Sequence, residues 1–185
     1  MLSVDKIQQK STLICALIFF TYFYMWKGGI LMRDYIINEN LLCFTQDTND
    51  KNKILVVEKS KNVTFNGNSL SFLKKCCFCY GHSYNIQRQF VIDHFNYYIK
   101  TPIIVSSYNM IIFFPTCTPS SKKCIWLAYN NITRYVKESN GTKIYFDNGK
   151  EMNIKVPYTT IDNQITKCIK IEKYLNGIMR KTVEK

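Results

Sequence analysis

Cys76, Cys77, Cys79 and His82 crowd seven positions with side chains that bind metal. Structural zinc takes two ligand pairs, with about two to four residues inside each pair and a long loop between them. Here three cysteines fall within four positions, and on a helix they point to different faces. The remaining pair, Cys117 and Cys124, is spaced too widely for a zinc knuckle. The expectation is buried free thiols and no metal. Nucleophilic catalysis needs a cysteine or serine beside a base and an orienting group. The two histidines, His82 and His94, sit in no such signature, and no phosphate-binding glycine loop or nucleophile elbow occurs. The chain reads as a non-enzyme without catalytic residues or cofactor.

The chemistry that remains is positive charge. Lys74-Lys75, Lys122-Lys123, and Arg134 with Lys137 place paired cations near turns. Tyr84, Gln87 and Arg88 add polar and aromatic groups beside the first pair. The 185 residues carry 25 basic and 13 acidic side chains, a formal charge of +12. Such an excess points to a polyanion, nucleic acid before an anionic membrane. Lysines neutralise backbone phosphates without reading sequence. Gln and Arg can probe an A·T-rich minor groove. The candidate DNA-binding set is therefore Lys74, Lys75, Tyr84, Gln87, Arg88, Lys122, Lys123, Arg134 and Lys137.

Elements must position these groups. Hydrophobic residues make up 46% of the chain, enough for a real core, and the length suits one domain. Residues 34–45 and 54–58 read as strands, and 63–65 as a short third one. Asn68 or Ser69 caps a helix over 70–79, with Gly81 as its stop. Ile86, Phe90, Val91, Phe95 and Tyr98 recur at helical spacing over 85–98. Short strands follow at 103–105, 110–114 and 125–129, then at 132–137, 143–146 and 152–156, with glycine turns between the last three. Thr160 or Asp162 caps a final helix with Ile165, Ile169, Leu175 and Met179 on one face. The fold class is α+β: mainly an antiparallel meander or bent sheet, two short helices in the middle and a C-terminal helix.

Residues 1–31 stand apart. Their uncharged run from Ser11 to Trp26 is shorter than the ~20 residues of a spanning helix. Lys27-Gly28-Gly29 can be encoded by a ribosome-binding sequence, with Ile30 and Leu31 as the spacer before Met32. The expectation is that 1–31 is translated upstream DNA and that 32–185 forms one DNA-binding domain. The alternative is a small membrane-anchored protein with a basic cytosolic domain. Removing 1–31 takes away Lys6, Lys10, Lys27 and Asp5, so the basic excess survives.

The stretch Cys77-Phe78-Cys79-Tyr80-Gly81-His82-Ser83-Tyr84 resembles a motif of the ComK family of competence transcription factors from low-GC Gram-positive bacteria. Pro102-Ile103-Ile104-Val105, Phe113-Phe114-Pro115-Thr116, Ile125-Trp126, Asn148-Gly149-Lys150 and Val156-Pro157-Tyr158 continue the likeness in order and spacing. Where the family tends to carry Ala-Gly-Arg-Lys after the tyrosine, this chain has Asn85-Ile86-Gln87-Arg88. The resemblance implies a cytoplasmic, nucleoid-associated activator of DNA-uptake genes. Its implied partners are double-stranded AT-rich DNA, further copies of the chain, a related competence activator and the transcription machinery, without a membrane.

Overall fold

The computed structural model describes Tyr35 and residues 37–183. The expectation about 1–31 lies outside these residues. Among the described residues nine strands, three α-helices and a short 3-10 turn at Tyr129–Asn131 follow one another, and every strand pairing is antiparallel. Strands β1 (Leu41–Gln46), β2 (Lys53–Glu58), β3 (Asn62–Asn66), β4 (Ile103–Ser106), β5 (Ile111–Pro115) and β6 (Ile125–Ala128) form a large sheet in the order β3-β2-β1-β6-β5-β4. Strands β7 (Ile132–Glu138), β8 (Gly141–Phe146) and β9 (Glu151–Ile154) form a small sheet in sequence order. Helices α1 (Ser69–Cys79) and α2 (Tyr84–Phe95) separate β3 from β4, and α3 (Tyr158–Val183) closes the chain.

Burial explains the strand sequences. β4 and β5 are buried at every position, and β1 at all but one. Covered on both faces, they read as continuous apolar runs. At the sheet edge β3 turns Asn62, Thr64 and Asn66 outward, polar groups that suit an unpaired edge. On one face of the large sheet, Phe44 lies opposite Trp126 and stacks on it at 6.1 Å between ring centroids. Phe113 and the α1 residue Phe72 complete this cluster around Phe44, at 5.4 and 4.8 Å. The other face carries Cys43, Ile112, Phe114 and Leu127, which share a core with Ile144, Phe146 and Ile154 of the small sheet and with α3.

Polar contacts tie the two sheets together. The buried Asn131 amide donates to the carbonyls of Glu39 and Leu41 at 2.9 and 2.8 Å. Lys150 Nζ donates to Glu58 O at 2.8 Å. At Gly141, with φ of +148°, an added Cβ would run into the Ile154 carbonyl oxygen, so the β7–β8 turn needs glycine.

Several boundaries differ from the sequence reading. β1 begins at Leu41, because a turn closed by Leu41 N–H on Asn38 O precedes it. α1 is capped by the Asn68 side chain, which accepts from Ser71 N–H at 2.8 Å. α2 ends at Phe95, where Asn96 adopts the left-handed conformation (φ 58°), so Tyr98 lies outside it. Ile86 is exposed, and the buried α2 residues are Tyr84, Val91 and Ile92. α3 starts at Tyr158, immediately after Pro157, whose carbonyl accepts from Thr160 N–H at 2.9 Å. Its buried stripe is Ile161, Ile165, Cys168 and Leu175, spaced at helical periodicity. Ile169 stands about 100° round from Cys168 and is exposed.

Three tyrosine–carboxylate bonds link segments: Tyr35 to Glu58 (2.6 Å), Tyr129 to Glu172 (2.7 Å) and Tyr135 to Asp162 (2.8 Å). Burial first, and then the neighbouring carboxylate, pushes each phenol above the ordinary tyrosine range. Burial likewise raises the thiols of Cys43, Cys76, Cys77 and Cys168. Groups with raised folded-state pKa values hold their protons longer than the unfolded chain does. Their stabilisation is full below the unfolded values, about 8.5 for thiol and 10 for phenol, and is lost as pH rises past them. The melting temperature should therefore fall progressively above about pH 8.5 and more steeply above about pH 10. A melting temperature unchanged to pH 11 would contradict these buried groups.

Candidate nucleic-acid interface

Helical periodicity turns α1 so that Phe72, Leu73, Cys76 and Cys77 face the sheet while Lys74 points to solvent. Lys75 is half-buried beside it. The helix closes on the Cys77 carbonyl, which accepts from both Tyr80 and His82 N–H, and Gly81 (φ 75°) lets the chain reverse. The reversal brings Tyr84, the first residue of α2, back against α1. Lys74 Nζ then lies 5.9 Å from the Tyr84 ring centroid, within cation–π range.

Tyr84 is the meeting point of three segments. The residue is 9% exposed. Burial is the main reason its phenol sits above the usual range, with Arg88 opposing and Cys77 and Cys124 reinforcing the rise. Lys74 of α1 thus meets the ring, and Cys124 at the end of the β5–β6 turn is near enough to act on the phenol electrostatically. The β5–β6 turn is built by Ser121 N–H on Thr118 O at 2.9 Å and Cys124 N–H on Ser121 O at 3.0 Å. Lys123 N–H bonds Ser121 Oγ at 3.2 Å, and both lysine side chains, of Lys122 and Lys123, are exposed.

Lys74, Lys75, Tyr84, Gln87 and Arg88 thus lie on the α1–α2 corner, and the Lys122-Lys123 turn ends at Cys124, which acts on the Tyr84 phenol electrostatically. Gln87 and Arg88 are half-buried, and Arg88 Nη2 makes a long 3.4 Å contact to Tyr98 O. Arg134 and Lys137 lie elsewhere. They belong to β7, beyond the opposite end of β6 from Lys122 and Lys123. Three residues apart on a strand, they point to opposite faces of the small sheet. Arg134 stacks over Tyr145, its guanidinium carbon 4.1 Å from the centroid. Lys137 pairs across the strands with the buried Thr142.

Two features escaped the sequence reading. Lys143 shares the Tyr145 ring at 5.1 Å and pairs with Glu151 at 2.6 Å. It was hidden because its partners depend on strand register. Phe78 and Ile86, 62% and 68% exposed, flank Tyr84 in the chain and put apolar surface on the same two helices. Among the described residues, no group of three or more His, Cys, Asp or Glu side chains is placed to hold a metal ion, and no helix is long and apolar enough to cross a membrane.

A family model described as ComK protein matches residues 32–179. A stretch of 111 residues is 26% identical to the competence transcription factor of Bacillus subtilis (strain 168), covering 60% of this chain and 58% of that protein. The match thus spans less than two thirds of the relative. No solved structure matches.

The corner depends on the Tyr84 ring more than on its hydroxyl. Tyr84→Ala should cost about 3–5 kcal/mol in urea unfolding, as for a large buried aromatic, whereas Tyr84→Phe should stay within about 1 kcal/mol of the parent. Equal costs for the two variants would contradict this division.

Proposed function

The chain belongs to the ComK protein family, and from that membership we propose that it is a DNA-binding transcription activator of competence genes. The observation that carries the reading is the convergence of cations from separate segments on the Tyr84 corner, in a chain with an excess of basic residues. Its partner in this reading is double-stranded, AT-rich DNA bound by more than one copy of the chain. Activation proceeds through contact with the transcription machinery rather than by catalysis.

The division of labour follows from the positions. Lys74, Lys75, Lys122 and Lys123 hold phosphates, which fixes orientation without reading sequence. Arg88 and Gln87 lie beside Tyr84, where a groove would run, and their donors suit the acceptors of an A·T minor groove. Arg134 and Lys137, on opposite faces of the small sheet, cannot both meet the same duplex as that corner. Arg134 therefore serves as a separate phosphate contact from the outer face of that sheet.

The β5–β6 turn offers the cleanest test, because Lys122 and Lys123 are exposed and carry no core contacts. Substituting both by alanine should weaken binding to specific and unrelated duplexes alike. The slope of log affinity against log salt should become shallower by about 2, roughly 0.9 for each phosphate left without its lysine. Parent-like affinity and slope would remove the turn from the interface.

A further inference from the structure

Cys117 and Cys124 belong to no part of the proposed DNA-binding surface, yet they stand at the neck of the turn that carries Lys122 and Lys123. β5 and β6 pair Pro115 with Trp126. Past the last ladder pair the two segments stay bonded: Thr116 N–H donates to Ile125 O at 3.0 Å, and Ile125 N–H donates to the Thr116 side-chain Oγ1 at 3.0 Å. The next opposing residues are Cys117 and Cys124. Residues opposite one another on antiparallel segments have Cα atoms about 4.5–5.5 Å apart, and the bonded Thr116–Ile125 neighbours hold the neck of the turn near that spacing. That separation falls in the range a disulfide spans. The Cys124 thiol already reaches across the neck of the turn, donating to the Cys117 backbone carbonyl at 3.7 Å. Both thiols are free.

Other described cysteines do not offer this geometry. Cys43 and Cys168 are buried in the core cluster on the second face. Cys76, Cys77 and Cys79 share one helix, where residues three apart have Cβ atoms about 5–6 Å apart, too far for a disulfide.

We propose that Cys117 and Cys124 form an oxidation site, a dithiol that a hydroperoxide converts to an intramolecular disulfide closing the Lys122-Lys123 turn into a ring. Cys117 is the half-exposed member and reacts first; Cys124, fully buried, resolves. The Cys117 sulfur attacks one peroxide oxygen, the O–O bond breaks, and the departing hydroxide takes the thiol proton as water. The Cys124 sulfur then attacks the resulting sulfenic acid. An S–S bond forms, the S–O bond breaks, and the Cys124 proton leaves with the hydroxyl as a second water. Two thiols lose two electrons and one peroxide becomes two waters.

The test is peptide mapping of the folded full chain after hydrogen peroxide treatment, alkylation of remaining thiols and tryptic digestion. Cleavage after Lys122 and Lys123 puts Cys117 on peptide 101–122 and Cys124 on peptide 124–134. The expected product in the monomeric fraction is these two peptides joined, about 2 Da lighter than their sum, and separating on reduction. Cys117→Ser, a change at the half-exposed position, should abolish the linked species and leave Cys124 alkylated after unfolding. Finding Cys117 as sulfinic or sulfonic acid with Cys124 still a thiol, or either residue joined to a different cysteine, would overturn the proposal. The readout needs no DNA, so it stands or falls separately from the DNA-binding reading.

Discussion

The Phe44 ring is the point on which the rest of the architecture turns. It touches Phe72 from α1, Phe113 from β5 and Trp126 from β6, residues drawn from distant parts of the chain. Burying an aromatic side chain fully is worth roughly 1.5–3 kcal/mol, and aromatic pairs add about 0.5–1.5 kcal/mol beyond area. The cluster accepts a polar orphan, since the buried Trp126 indole N–H finds no partner among the described residues. An unmet buried donor costs about 1–3 kcal/mol, less than the combined gain of the ring contacts. Through Phe72 the cluster sets where α1 lies, and through Trp126 it anchors the strand that leaves the Lys122-Lys123 turn.

The opposite face is held in a different way. There aliphatic residues of the large sheet, the small sheet and α3 share a core, and tyrosine–carboxylate bonds clip Tyr129 and Tyr135 to α3. Arg134 is tied to this half of the molecule, which is why it parts from the cations of the Tyr84 corner. Each face of the large sheet thus has a core of its own, aromatic beneath α1 and aliphatic beneath the small sheet and α3.

Much of this was legible in the chain. Continuous apolar runs marked the buried strands, Asn68 marked the start of α1, and the glycine turns at 139–141 and 147–149 marked the small sheet. Local signals failed where the deciding force was not local. Ile169 and Ile86 fit a helical spacing, but which face a helix buries depends on what it packs against. The adjacency of β1 and β6, and with it the approach of Cys124 to Tyr84, joins residues far apart in sequence, and no short window reports it. The likeness of Cys77 to Tyr84 to a family motif pointed to the corner without revealing what completes it.

The corner is therefore a product of tertiary packing rather than of any one motif. Its central claim concerns which lysines meet a polyanion. Amine acetylation of the full chain, read by mass spectrometry with and without an AT-rich duplex, addresses this directly. Lys74, Lys122 and Lys123 should acetylate more slowly when DNA is bound, while Lys170 and Lys173, exposed on α3, should not change. Protection of Lys170 and Lys173 with Lys74, Lys122 and Lys123 still reactive would contradict the account.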